Sequence, residues 1–170
     1  MFPEQTFLFL YQGWRRIACS AAVVLLLSGG EAHAAWTVKR TVDAVTGQAR
    51  CYLESTPMTV SDGYQDIQAS IVVRADAVLI HTASPLDTSF TDIGMQVDTQ
   101  TFLPMDEVTD RKVAVFTSQY PRLIEQFKQG ARVRAQLRFW PTWPVTGTHT
   151  AIFSLSGFSK AYTAMLACKE

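Results

Sequence analysis

The sequence has few of the residues that small metal sites and active sites use. It contains three histidines and three cysteines in 170 residues, and its 15 basic residues balance 15 acidic ones. His81 and His149 belong to no metal-spaced cluster such as H-E-x-x-H, and neither a phosphate-binding glycine loop nor a G-x-S-x-G motif is present. We therefore expect no metal, no cofactor and no catalytic motif. A neutral net charge also argues against nucleic acid as a partner.

Long apolar runs are absent as well, since none reaches the roughly 20 residues that a membrane-spanning helix needs. The longest, Ile17–Leu27, follows two arginines and precedes the A-x-A tripeptide Ala32–Ala34. A basic patch, a short apolar run and an A-x-A site are the parts of a secretory signal peptide. We expect residues 1–34 to be that signal peptide, with an uncleaved anchor as the alternative. Residues 35–170 would form a single β-rich exported domain, periplasmic or secreted, without a transmembrane span.

Two cysteines, Cys51 and Cys168, would remain after cleavage of the signal peptide. In an exported chain an even number of cysteines points to a disulfide, and two cysteines allow only one intramolecular pairing. The sequence therefore predicts a Cys51–Cys168 bond that joins the last helix to a strand near the mature N-terminus. Two free buried thiols are the alternative. The absence of C-x-x-C disfavours a redox-active pair.

Alternating apolar and polar residues predict strands through most of the remaining chain. In Gln48–Glu54, Cys51 lies on the same side as the apolar residues. Ala131–Trp140 is the clearest case, with apolar residues on one side and mainly arginines on the other: Arg132, Arg134 and Arg138. Further strands are predicted in five segments: Ile67–Val73, Ala77–Thr82, Ile93–Val97, Thr101–Leu103 and Lys112–Thr117.

Two helices are predicted among these strands. Tyr120–Gln129 has Pro121 in its first turn and Gly130 just past its end, the usual start and stop signals. The second helix begins near Ser156, a common N-cap residue type, and carries an apolar stripe of four residues: Phe158, Ala161, Tyr162 and Met165. We expect a mainly β fold, a β-sandwich or barrel-like single domain with two short helices and one disulfide.

Charge is unevenly distributed along the chain. The segment Asp43–Asp110 holds 11 acidic residues against two basic ones, and Arg111–Glu170 holds nine basic residues against two acidic ones. Either the two halves neutralise each other within one sheet system, or they leave a basic face on the arginines of the predicted strand Ala131–Trp140.

The loop Trp140–Pro144, with the sequence WPTWP, is the most unusual local feature. Its two prolines cannot continue a central strand, and its two tryptophans offer a large aromatic surface. The rings either cap the end of the core or form an exposed contact for a protein, a glycan or a membrane surface. The candidate partner-binding residues are five: Arg132, Arg134, Arg138, Trp140 and Trp143.

The sequence SLSGFSKA, Ser154–Ala161, lies between a strand and the last helix and resembles the end of proteins in the invasion-associated locus B family. The resemblance extends to Trp36, to the strand Arg50–Leu53 and to the dipeptide Gln129-Gly130. It implies a small, exported, β-rich bacterial domain of the periplasm or outer membrane without an established enzymatic activity, and it transfers no catalytic residue. Family members usually carry further cysteines in their early and middle strands. A related small periplasmic domain is therefore the alternative.

These features predict a non-enzymatic periplasmic or envelope binding or accessory protein, related to host interaction or to the envelope itself. Its expected partner is an envelope protein or a glycan. One alternative is a small periplasmic hydrolase or lyase with a site around His81 or His149, which requires that histidine to lie in a cleft beside a carboxylate or hydroxyl. The other is a structural envelope protein.

Overall fold

Two antiparallel β-sheets and two helices make up the part of the chain that the computed structural model describes, residues 35–42, 44, 47–141 and 147–168. The predicted signal peptide and Trp143 lie outside these residues. The signal peptide and the role of Trp143 in partner binding therefore remain predictions. The elements in chain order are β1 Trp36–Val42, β2 Ala49–Ser55, β3 Met58–Ser61, β4 Asp66–Val73, β5 Val78–Thr82, β6 Gly94–Val97, β7 Leu103–Pro104, β8 Glu107–Thr109, β9 Val113–Phe116, α1 Tyr120–Gln129, β10 Arg132–Leu137, β11 His149–Ser154 and α2 Phe158–Ala167.

The larger sheet has seven strands and the smaller one has four. The larger sheet runs β1-β2-β4-β5-β9-β8, with β3 paired to the free part of β4, and the smaller one runs β11-β10-β6-β7. In neither sheet do the two outermost described strands pair with each other, so both sheets are open. The mainly β prediction is confirmed in its sandwich form, and the barrel-like form is wrong.

The inner faces of the two sheets share one hydrophobic core. Ile71 and Ile80 of the larger sheet are fully buried, as are Met95 and Val133 of the smaller one, and all four belong to the same cluster of buried residues. Burying one side chain of this size contributes about 1.5–3 kcal/mol. The alternation that predicted the strands therefore reflects one shared core between two sheets.

The boundaries of the two helices test the predicted start and stop signals. Helix α1 has the predicted limits, with Pro121 in its first turn. Helix α2 begins at Phe158, and its N-cap is Gly157 at φ 78°, without a side-chain cap, so the N-cap lies one residue after the predicted Ser156. A left-handed backbone conformation strains most residues but not glycine, and Gly157 is what turns β11 into the helix.

The predicted disulfide is present. It joins Cys51 of β2 to Cys168 at the end of α2, and the two Cα atoms are 6.2 Å apart. That separation is within the ordinary range for a disulfide. Cys51 lies on the inner side of β2 with Ala49 and Leu53, and α2 packs against β1 and β2. The bond therefore holds the last helix on the first hairpin.

Trp36 closes the end of the core that the start of α2 covers. Its side chain is 4% exposed, and its indole Nε1–H donates a hydrogen bond to the carbonyl oxygen of Ser154 at 2.9 Å. Its ring packs on Phe127 of α1 and edge-on against Phe158 of α2, with ring centroids 6.1 and 5.0 Å apart. At Gly130 a Cβ atom would collide with the side chain of Val97. The residues behind the family resemblance therefore serve packing.

Candidate partner-binding surfaces

The outer side of the β10–β11 hairpin carries two of the predicted arginines. Arg132 and Arg134 are exposed, and Ile152, opposite Arg134 in the strand ladder, is 44% exposed. The Arg134 guanidinium makes one long hydrogen bond, 3.4 Å, to the side-chain oxygen of Gln96. We call Arg132, Arg134 and Ile152 the arginine face. It combines positive charge with one exposed aliphatic side chain.

Arg138 lies in a different environment from the other two arginines. Its Nε–H donates to both carboxylate oxygens of Asp92, at 2.8 and 2.9 Å, and its guanidinium lies 4.1 Å from the centre of the Phe90 ring. The hydrogen bond from Arg138 holds the pKa of Asp92 below its ordinary value, and a hydrogen bond from Thr148 lowers that pKa further. The acidic and basic halves of the chain therefore neutralise each other at this point.

Trp140, just after β10, is exposed over 56% of its surface, whereas the preceding Phe139 is buried. Phe139 pairs with Leu86 in an isolated β-bridge and closes this end of the core. Phe139 therefore has the core-capping role that was considered for Trp140, and the Trp140 ring faces solvent. Trp143, the other candidate in this loop, lies outside the described residues.

A short segment, Pro85–Asp87, fixes the backbone around Trp140. The carbonyl oxygen of Pro85 accepts the Trp140 N–H at 2.9 Å, and the Asp87 N–H donates to the carbonyl oxygen of Arg138 at 2.9 Å. Between them, the Leu86 N–H donates to the carbonyl oxygen of Arg111 at 2.7 Å. The segment thus connects the end of β10 to the turn between β8 and β9. Backbone hydrogen bonds hold both the end of β10 and the β8–β9 turn to this segment.

These three pieces of chain enclose an open depression of about 430 Å³, which we call the Trp140 depression. At its edge the Asp87 carboxylate is almost fully buried, and one of its oxygens accepts the Ser89 N–H at 3.0 Å. The Arg111 side chain is exposed, and no described acidic side chain forms an ion pair with it. Seven of the described residues line the depression: Leu86, Asp87, Thr88, Ser89, Val108, Arg111 and Trp140.

The turn that carries Arg111 is strained. Asp110 and Arg111 have φ angles of 50° and 59°, and the Lys112 N–H donates to the carbonyl oxygen of Thr109 at 3.2 Å. Positive φ at both central residues is the arrangement of a type I′ turn, which normally contains Asn-Gly, Asp-Gly or Gly-Gly. A residue with a Cβ atom in this conformation costs roughly 1–2 kcal/mol. The arginine is therefore held at this tip at a cost in stability.

The arginine face and the Trp140 depression are separate surfaces. Arg134 and Trp140 are six residues apart along an extended chain, and at about 3.3 Å per residue this places them roughly 20 Å from each other. The structure therefore does not bring all of the predicted partner-binding residues into one small site. A single small ligand could contact only one of the two surfaces, and only a macromolecule could contact both.

His81, the first candidate for a catalytic histidine, lies on the outer face of the larger sheet. Its imidazole lines a second depression, of about 340 Å³, together with Glu107 and Asp110. Partial burial lowers its pKa below the ordinary value, against the opposing effect of Glu54. Ser70 lies opposite His81 in the strand ladder. No described residue hydrogen-bonds to the imidazole.

His149, the second candidate, lies in the smaller sheet. Its ring packs on Phe139, with 5.6 Å between the ring centres, and it pairs with Leu137 in the strand ladder. Neither histidine is hydrogen-bonded to a carboxylate or a hydroxyl of a described residue. The described residues also contain no group of three His, Cys, Asp or Glu side chains that could hold a metal ion. No helix among them has the length and apolar character to cross a membrane.

Comparison with known proteins gives one informative result. The fold is similar to that in the crystal structure of invasion associated protein B from Bartonella henselae, with a TM-score of 0.51 and 17% sequence identity over 78% of this chain and 91% of that chain. No protein-family model matches the sequence, and no curated protein is significantly similar to it. Similarity at this level of identity concerns the fold alone. The chain therefore has a fold like that of invasion associated protein B.

Proposed function

We propose that the protein is an exported, non-enzymatic binding or accessory domain of the bacterial envelope. The observation that carries this proposal is the exposed Trp140 ring beside an open depression. An exposed tryptophan leaves a large apolar surface in water, and such rings are among the residues that dominate binding energy at interfaces. Phe139 already closes the core at this point, so packing gives no reason for a second aromatic ring.

The disulfide and the N-terminal sequence support the proposed compartment. A Cys51–Cys168 bond persists in an oxidising environment such as the bacterial periplasm and is rare in the cytosol. Residues 1–34 have the sequence features of a cleaved signal peptide. The structural neighbour is named for its association with invasion. A role at the envelope, either within it or toward a host, agrees with all three observations.

The arginine face is the second part of the proposed contact. Arginine is enriched at binding hot spots, and the exposed Ile152 beside Arg134 provides an apolar contact next to the charge. Arg138 is paired with Asp92, so we expect it to hold the end of β10 in place rather than to bind the partner directly. The predicted Trp143 contact belongs to the same loop as Trp140 and stays part of the proposal.

The proposal is tested by cross-linking the purified protein in extracts of the bacterial envelope. We expect the wild type to give a defined cross-linked product and Trp140→Ala or Arg134→Ala to reduce its yield by at least fivefold, with the melting temperature almost unchanged. Arg122→Ala, which removes one exposed arginine from helix α1, is the matched control and should behave like the wild type. If no product forms, or if all three variants lose it equally, the proposal is wrong. The structural alternative would then be favoured.

A further inference from the structure

We infer that the Trp140 depression is a binding site for a saccharide that carries an acidic group. This inference rests on the proposed binding function and names the ligand class for one of its two surfaces. It starts from the shape of the site: a flat aromatic ring at the edge of an open depression, with polar groups on the remaining wall. A sugar ring has a matching shape, with one face of C–H groups and a rim of hydroxyls.

The exposed Trp140 ring supplies the surface for the C–H face of the sugar. An indole combines a large apolar face with a polar N–H, so it can stack on a sugar and still donate a hydrogen bond. More than half of this side chain is exposed, and its backbone is fixed by the hydrogen bond to Pro85. The ring therefore has the access that a stacking contact requires, and it extends from a fixed backbone.

Other lining residues supply both donors and acceptors for hydroxyl groups. The hydroxyls of Thr88 and Ser89 both donate and accept hydrogen bonds. The Asp87 side chain is 4% exposed and accepts the Ser89 N–H, which fixes the backbone of this wall before a ligand arrives. Among the described lining residues, Leu86 and Val108 are the ones with aliphatic side chains. This lining suits a hydroxyl-rich molecule better than a lipid.

Arg111 indicates the acidic group. Its guanidinium is exposed at the depression without an ion-pair partner among the described residues, and a guanidinium binds a carboxylate or phosphate through two parallel hydrogen bonds. The residue stands at φ 59°, where asparagine or glycine would be less strained. Backbone strain of this kind is found at ligand-binding positions, because the surrounding structure compensates for it. Binding an anionic group explains an arginine at this tip.

The size of the depression agrees with a small ligand. Its volume of about 430 Å³ lies within the range of about 300–1,000 Å³ that is usual for small-molecule sites. Three stretches of chain line it, and the Pro85–Asp87 hydrogen bonds hold their backbones together. Little ordering is then needed on binding, which favours affinity.

The test is a calorimetric titration of the purified full chain with two probes, cellobiouronic acid and its neutral counterpart cellobiose. We expect both to bind, the acidic disaccharide at least tenfold more tightly. Trp140→Ala should abolish both interactions. Arg111→Asn should reduce the affinity for the acidic probe to that of the neutral one without lowering the melting temperature, because asparagine accepts a positive φ. Arg122→Ala, which removes an exposed arginine from helix α1, is the control and should leave both affinities unchanged.

Several results would overturn the inference. They are the absence of binding by either probe to high millimolar concentration, binding that survives Trp140→Ala, or equal affinities of the wild type for the two probes. Each leaves the cross-linking result with Arg134→Ala untouched, so failure of the saccharide site and failure of the proposed function can be told apart. Conversely, if the protein binds the saccharide but gives no envelope cross-link, the saccharide site is supported and the proposed envelope partner is contradicted.

Discussion

Two tryptophans lie at opposite ends of the β10–β11 hairpin and have opposite environments. Trp36 is 4% exposed and contacts Ser154, which pairs with Arg132 at one end of the hairpin. Trp140 follows the other end, beyond Leu137, and is 56% exposed. Helices α1 and α2 cover the first ring, and no described helix covers the second. The presence or absence of a covering helix therefore decides whether a tryptophan at the end of this hairpin is buried in the core or exposed to solvent.

The two ends also differ in what their interactions do. The end at Trp36 combines edge-on aromatic packing with a hydrogen bond between Tyr120 and Tyr162 that links the two helices. The disulfide fixes the far end of α2 to β2. The end at Trp140 combines an exposed ring, an unpaired Arg111 among the described residues and a strained turn. The interactions at the first end favour stability. The exposed ring, the unpaired arginine and the strained turn at the second end lower stability, and all three lie where a ligand could contact them.

The largest expected effect is that of Trp36→Ala. It should lower the free energy of unfolding by roughly 3–5 kcal/mol, because it leaves a cavity in the core and removes a buried hydrogen bond. Trp140→Ala should lower it by less than about 1 kcal/mol, the usual range for exposed side chains. Urea unfolding followed by circular dichroism measures both. Equal losses would remove the contrast between the two ends.

Cys168→Ser should have the next largest effect. Loss of the disulfide is expected to lower the free energy of unfolding by about 2–5 kcal/mol, because the bond closes a loop over a sequence separation of 117 residues. Reduction of the wild type with dithiothreitol should lower stability by a similar amount and should not affect Cys168→Ser. Two free thiols in the untreated protein would contradict the bond.

Gly157→Ala tests how β11 is connected to α2. A Cβ atom at this position meets no neighbour within 4 Å, so the cost comes from the backbone angle alone. We expect a loss of roughly 1–2 kcal/mol of stability, the cost of a left-handed conformation for a residue with a Cβ atom. Gly147→Ala, also in open space but without a positive φ, is the matched control. A loss in the control as large as in Gly157→Ala would point to another cause.

The smallest expected effect concerns the ion pair near the open end. Because Arg138 lowers the pKa of Asp92 in the folded state, the unfolded state binds more protons as the pH falls. The stabilisation is therefore fully present above the ordinary carboxyl pKa near 3.9 and is lost as the pH falls through the lower folded value. Asp92→Asn should cost up to about 1 kcal/mol at neutral pH, since the pair is partly exposed.

A titration of stability against pH tests this pair in wild type and Asp92→Asn. The difference between the two should shrink as the pH falls below about 4. A difference that stays constant down to pH 2 would show that the carboxylate charge contributes nothing and that only packing was lost.

Much of the fold could be predicted because its main strands bury one face. The alternation in Gln48–Glu54 correctly predicted strand β2 and the inward orientation of Cys51. Pro121 and Gly130 correctly predicted the limits of helix α1. Strand β1 was harder, because only Trp36 of its seven residues is fully buried and the remaining residues carry little periodic signal. Strands β3 and β8 are short and mostly exposed, so they carry little signal as well.

The candidate site was predictable only in part, since contacts between residues distant in sequence decide it. Alternation placed Arg134 and Arg138 on the same outward side, but Asp92 and Phe90, more than 40 positions earlier in the chain, draw Arg138 against the surface. The turn at Arg111 contains no glycine, so its positive φ angles leave no mark in the sequence. No local pattern could have indicated that Arg111 and Trp140 line one depression.

The most direct test of the contrast between the two ends is a nitrogen-15 indole spectrum of the disulfide-bonded protein, recorded during titration with a detergent-free envelope extract. The signals of Trp36 and Trp140 can be assigned with the variants Trp36→Phe and Trp140→Phe. We predict that the Trp140 signal shifts or broadens as extract is added, while the Trp36 signal stays unchanged. A Trp140 signal that does not respond, or a Trp36 signal that responds equally, would contradict a binding surface at the open end.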